Sequence, residues 1–131
     1  MTGLDTNVLV RYVVQDDPAQ SATATKLIDN FTAAAPGFVS MIVVVETVWV
    51  LQSSYKAERP EIARVLDTLL RSRELVVEHA ELVWQALRIF TRSGGDFADC
   101  LIQRCGHVAG CDETVTFDQR ASRTAGMKFL A

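Results

Sequence analysis

The sequence predicts an α/β fold, a three-layer α/β/α sandwich with a mostly parallel central sheet, and three observations lead there. Short apolar pieces alternate along the chain with longer stretches of helical period, the pattern of strands that pair in parallel through crossing helices. Two acids, Asp5 and Asp118, fall just beyond strand-like pieces, where sites form in such sheets. The 131 residues are 49% hydrophobic, enough for one sizeable core and too few for two ordinary domains, so one domain over 1–131 is expected.

Each element has its own signal. A short apolar entry ends at Leu4-Asp5, and Val8 to Val14 reads as a short helix that stops at Gln15-Asp16-Asp17-Pro18. Pro18 opens a second helix that uses Ala22, Leu27, Ile28 and Phe31 and runs to about Ala35, where Pro36-Gly37 stops it. Phe38-Val39 is a short apolar piece closed by Ser40, a good N-cap. Met41 to Ser54 is rich in valine, yet its length, its lack of alternation and the single acid Glu46 favour a buried helix over a strand. Pro60 starts a helix with Ile62, Val65, Leu66, Leu69 and Leu70 on one face, and Leu75-Val76-Val77 is a strand. His79-Ala80-Glu81 opens a helix with Val83, Ala86, Leu87 and Phe90 inward, ended by Ser93-Gly94-Gly95. Asp96 caps a helix from Phe97 to about Val108, Thr114 to Phe117 is a strand, and Met127 to Leu130 is a last short strand.

The bulk numbers exclude several classes. No run approaches the roughly 18 apolar residues of a membrane span, and the start lacks a signal pattern, so a soluble cytoplasmic protein with no membrane partner is expected. Cys100, Cys105 and Cys111 are odd in number and crowded, a poor disulfide framework that points to a reducing compartment. With His107 they match no common zinc finger. His79 and His107 lie near element ends, and Trp49 and Trp84 read as core or dimer positions. A net charge of −3 argues against a generic nucleic-acid coat but not against a nuclease, whose acids gather to hold a cation. Arginine outnumbers lysine ten to three, and Arg11, Arg88, Arg92 and Arg104 are candidates to steer phosphates or simply to solvate a face.

The chemistry is carried by four acids in apolar sequence surroundings: Asp5, Glu46, Asp99 and Asp118. A carboxylate on an apolar face is costly unless it is paired, protonated or bound to metal. Each has a structural alternative. Asp5 fits a helix cap, Glu46 a salt bridge to Arg88 or Arg104, Asp99 an acid in a first helical turn, and Asp118 a turn residue. If the four converge, an oxygen-only cleft suits Mg²⁺ or Mn²⁺ rather than Zn²⁺, and the reaction class is metal-assisted phosphodiester hydrolysis by metal-activated water.

The ordered set Asp5-Thr6-Asn7-Val8-Leu9, Glu46 in an apolar helix, Phe97-Ala98-Asp99-Cys100-Leu101-Ile102, Thr116-Phe117-Asp118 and Gly126-Met127-Lys128-Phe129-Leu130 resembles a PIN-domain ribonuclease of the VapC toxin type. The resemblance spans the whole chain. It implies a PIN-like fold, Asp5, Glu46 and Asp99 as core metal ligands, and Asp118 as a fourth acid binding directly or through water. Thr6 or Asn7 and Thr116 resemble the polar residues that support such a cluster. Asp96, three residues before Asp99 on the same helical face, lines the rim or only caps its helix. The same resemblance implies an endoribonuclease toxin, an RNA substrate, a homodimer, and a VapB-type antitoxin whose C-terminal segment fills the cleft. A signalling receiver domain, which needs a paired-acid motif near the start, a central acceptor Asp on a strand and a late lysine in a set place, resembles this chain less, the only lysines being Lys26, Lys56 and Lys128. A haloacid-dehalogenase-type phosphatase needs a second Asp where Asn7 stands. A degenerate PIN fold that binds RNA or partners without cutting is the remaining alternative.

Overall fold

The computed structural model describes residues 1–131, which divide into two compact units, 1–80 and 81–131. All strand pairs are parallel. The α/β class expected from the alternation of elements is therefore the one the structure has.

In the first unit, strand β1 (Thr2–Gly3) runs into helix α1 (Thr6–Val14), and α2 (Pro18–Asp29) follows after a tight loop. Strand β2 (Gly37–Val39), helices α3 (Met41–Ser53) and α4 (Arg59–Arg71), and strand β3 (Leu75–Val77) complete it. The strands lie in the order β1-β2-β3, with Thr2 opposite Gly37 and Gly37 opposite Leu75. Leu4, Leu9, Val10, Val39, Val44, Ile62 and Leu66 are among its buried residues.

Helix α3 forms despite its valines because Ser40 Oγ accepts from the Val43 amide at 3.2 Å and because Val43, Val44, Val48 and Leu51 are buried. Tertiary burial here outweighs the modest helical cost of β-branched residues. Helix α2 is shorter than the sequence predicts. It stops at Asp29, and its buried face is Ser21, Ala24 and Ile28, which leaves Ala22 and Leu27 outside. Phe31 is buried beyond the helix end. Its ring lies against Gly37, where an added Cβ would come within 2.5 Å of Phe31 Cε2. The loop after α1 is tied by one network. Arg11 donates to Gln20, Asp16 and Tyr55 at 2.8, 3.2 and 3.1 Å, and the Tyr55 hydroxyl donates to Asp16 at 2.7 Å. Arg11 is thus engaged in holding α1, α2 and the segment after α3.

In the second unit, α5 (Ala80–Ser93) and α6 (Phe97–Val108) precede strand β4 (Val115–Thr116), helix α7 (Gln119–Thr124) and strand β5 (Lys128–Phe129). Val83, Ala86, Leu87 and Phe90 form the buried face of α5, as their spacing predicts. Phe90 meets Phe97 edge to face, with ring centroids 6.0 Å apart and planes at 80°. Strands β4 and β5 pair through Val115 opposite Lys128 and Thr116 opposite Phe129. Helix α7 is not expected from the sequence: Gln119-Arg120-Ala121-Ser122-Arg123-Thr124 has no apolar period, and only Ala121 is buried. Of the two positions expected in a core or a dimer contact, Trp49 is exposed and so not in the core, and Trp84 is half-buried. His79 and His107 are at the surface as expected. The three cysteines are free.

Thr47 is fully buried on α3 and its hydroxyl has no hydrogen-bond partner. Thr47→Val keeps the shape and removes a stranded polar group, so it should raise unfolding stability by about 1 kcal/mol. A urea titration checks this. The midpoint should rise with an unchanged slope.

Candidate active site

The acids predicted from the sequence fall into two groups, one in each unit. In the first, β1 and Leu4 deliver Asp5 to the start of α1, where its Oδ1 accepts from the Thr6 amide at 2.7 Å and caps the helix. The Thr6 hydroxyl donates to Glu46 Oε1, on α3, also at 2.7 Å. Thr6 therefore touches both carboxylates, one with its backbone and one with its side chain. Glu46 takes this hydroxyl as its hydrogen-bond donor in place of the arginines expected for it. Arg104 Nε donates instead to Gln85, at 2.9 Å. Asn7 does not join these acids in any hydrogen bond. It lies exposed on α1 and, with Val8, Arg11, Gln20, Thr23 and Leu27, lines a groove of about 600 Å³ between α1 and α2.

In the second unit, Asp96 caps α6 by accepting from the Asp99 amide at 3.0 Å. Asp99 follows in the first turn. Asp118 lies two residues past β4 and caps α7, its Oδ1 accepting from the Arg120 and Ala121 amides at 2.8 and 3.3 Å. Thr116 supports it from the strand, its Oγ1 accepting from the Asp118 amide at 3.0 Å. Asp96 and Thr116 thus each hold the backbone at an acid, and capping is one of the two roles expected for Asp96.

Electrostatics single out Asp99. Its half-buried carboxyl is pushed above the ordinary carboxylate range by burial, then by the negative charges of Asp96 and Asp118. The guanidinium of Arg120 pulls the other way. Arg120 is the residue that sequence reasoning missed. It sits on the unforeseen α7 and is anchored by an Nη2 donation to the Gly94 carbonyl at 3.2 Å. The only signal for it was a positive charge two residues after Asp118. Gly94 can present that carbonyl because its φ of +74° is open to glycine.

One expectation needs correction. Asp5, Glu46 and Asp118 are exposed, and only Asp99 is partly buried. Leu4 beside Asp5 and Thr47 beside Glu46 are buried while the acids face outward, and Phe117 beside Asp118 is itself exposed, so apolar flanks did not imply an apolar environment. The cost of burying charge therefore bears on Asp99 and not on the other three. No three His, Cys, Asp or Glu side chains form a ready metal cage. The donor chemistry nonetheless suits a hard divalent cation. All the predicted ligands are oxygen, and the excess negative charge around Asp99 is what such an ion offsets.

The fold has a known setting. The chain belongs to the PIN domain family, whose model matches residues 4–127 and so spans both units. Among curated proteins it is similar to a VapC ribonuclease of Aquifex aeolicus (strain VF5), 27% identical over 117 residues that cover 89% of this chain and 87% of that protein. No helix is long and apolar enough to cross a membrane.

The pH dependence of the metal-free protein follows from Asp99. Its proton affinity is higher folded than unfolded, so its contribution favours the folded state at acid pH and is lost as pH rises through its elevated value. At neutral pH the charged form is therefore a burden. Asp99→Asn should raise the thermal midpoint of metal-free protein at pH 7, and the gain over the parent should vanish toward acid pH. Melting curves across that range are the check.

Proposed function

We propose that this protein is a metal-dependent endoribonuclease, the toxin of a VapBC-type toxin–antitoxin pair, acting as a single PIN-like domain that hydrolyses RNA phosphodiester bonds. The observation that carries the reading is the Asp99 carboxyl, held among Asp96 and Asp118 with its proton affinity raised, in a chain of the PIN domain family. The similarity to a VapC ribonuclease supports the substrate class.

In this reading Asp5, Glu46, Asp99 and Asp118 hold Mg²⁺ or Mn²⁺. When bound, the ion lowers the pKa of a water and offsets the charge that develops on the phosphoryl oxygens. The chain's own groups do the rest. Thr6 fixes the direction of Glu46, the cap on α1 fixes Asp5, and Thr116 fixes the backbone at Asp118. Arg120 keeps part of the negative charge at Asp99 balanced before any cation arrives. The free cysteines fit a cytoplasmic location. A VapB-type antitoxin would neutralise the enzyme by filling the acidic cleft.

Homodimerisation forms part of the same proposal. Ile42 and Trp49 are 73% and 66% exposed, and their spacing puts them on one face of α3. Large apolar side chains left in water on one helix face fit the centre of an interface with a second copy.

Two measurements test these readings. Asp5→Asn keeps a capping oxygen and removes the charge, so the fold should persist. Metal-dependent RNA cleavage should drop by about a hundredfold or more, beyond the 10–100-fold typical of losing an outer-shell partner. Calorimetry with Mn²⁺ should show the matching loss of affinity, and retained cleavage would sink the mechanism. For the dimer, Trp49→Glu should convert the light-scattering mass at micromolar concentration from two chains to one. A parent that is already monomeric would overturn that part alone.

A further inference from the structure

We infer that the exposed bend at the end of β4 is a stacking platform for single-stranded RNA, with Phe117 supplying the ring. The inference rests on the ribonuclease reading and extends it to a residue that positions the substrate.

Parallel pairing places Val115 opposite Lys128, and Phe117 follows β4 directly, in the bend that leads from the ribbon to Asp118. Phe117 is 81% exposed and Val115 48% exposed. The ring contributes little to the interior, yet the backbone that carries it is firmly held. The Leu130 amide donates to the Thr116 carbonyl at 2.8 Å, and the next residue, Asp118, donates from its amide to Thr116 Oγ1 at 3.0 Å. A rigidly mounted aromatic face in water, one residue before an acid of the site, offers a base a surface at little ordering cost.

The chemistry favours RNA over a protein partner. Lys128 is paired with Glu113 at 3.5 Å, with both side chains more than half exposed. A pair of that kind is weak, so a phosphate can compete for the ammonium. The exposed apolar area of one phenylalanine and one valine is far below the ~800 Å² per partner of a standard protein interface. It does match one unstacked base. A base held on Phe117 fixes which nucleotide lies next to Asp118, giving the enzyme a preference for unpaired RNA.

The test uses the full chain with short mixed-sequence oligoribonucleotides. Binding is read by fluorescence anisotropy in EDTA, and cleavage is read with Mn²⁺. Phe117→Ala should weaken binding roughly tenfold and raise KM more than it lowers kcat. Phe117→Trp should restore both, whereas Phe117→Leu, which has bulk but no π face, should not. Binding by the Ala or Leu variant within about twofold of the parent overturns the inference and leaves the ribonuclease reading intact. A Phe117→Ala protein of smaller light-scattering mass than the parent also overturns it, because the face then belongs to a contact between copies. A parent that neither binds nor cleaves RNA overturns the ribonuclease reading, and this inference falls with it.

Discussion

A carboxylate keeps one direction only where something fixes it, and in each unit of this chain the fixing is done by helix N-termini. Asp5, Asp96 and Asp118 each accept hydrogen bonds from the amides that open α1, α6 and α7. Those amides would otherwise lack partners, and the positive end of each helix favours the negative charge it meets. The sequence left capping and site chemistry as alternatives for Asp5 and Asp96. In the folded chain capping is present at both, and it fixes the direction of each carboxylate. Asp99 has no such support, and it is the one whose proton affinity rises.

The rest of the chain serves to place those helix starts. Strand β1 is only two residues long, yet with Leu4 buried behind it the chain turns at Asp5 in one direction. The apolar α3 brings Glu46 to the Thr6 hydroxyl. In the second unit, the edge-to-face packing of Phe90 on Phe97 joins α5 to the first residue of α6, directly beside the Asp96 cap. Short strands and firm packing thus set the positions, and hydrogen bonds to the acids set their directions.

Much of this was legible in the sequence where a strong local signal agreed with the packing. Ser40 before an apolar run, Pro18 and Pro60 at helix starts, and the inward stripe of α5 all became what they predict. Three features were not legible, for distinct reasons. Helix α7 has no hydrophobic period because it packs through a single alanine, so only its cap marked it. The end of α2 was misplaced because Phe31 is buried by turning under Gly37 rather than by continuing the helix. The exposure of Asp5 and Glu46 was missed because neighbours in a helix or strand face different ways, and that of Asp118 because Phe117, apolar as it is, is exposed too. The order of the acids along the chain was legible, whereas their surroundings were not.

The double duty of these caps narrows the paths open to sequence change. Asparagine or serine at position 5, 96 or 118 would preserve a helix start and discard the charge, while glutamate would keep the charge and lose the short reach that capping needs. No single replacement retains both properties. A lineage that abandoned the chemistry could therefore drift to neutral caps with its fold intact, whereas one that kept the chemistry would be confined to aspartate at each helix start. The fold would thus tolerate the loss of these charges easily, whereas their return would depend on one particular residue at each place.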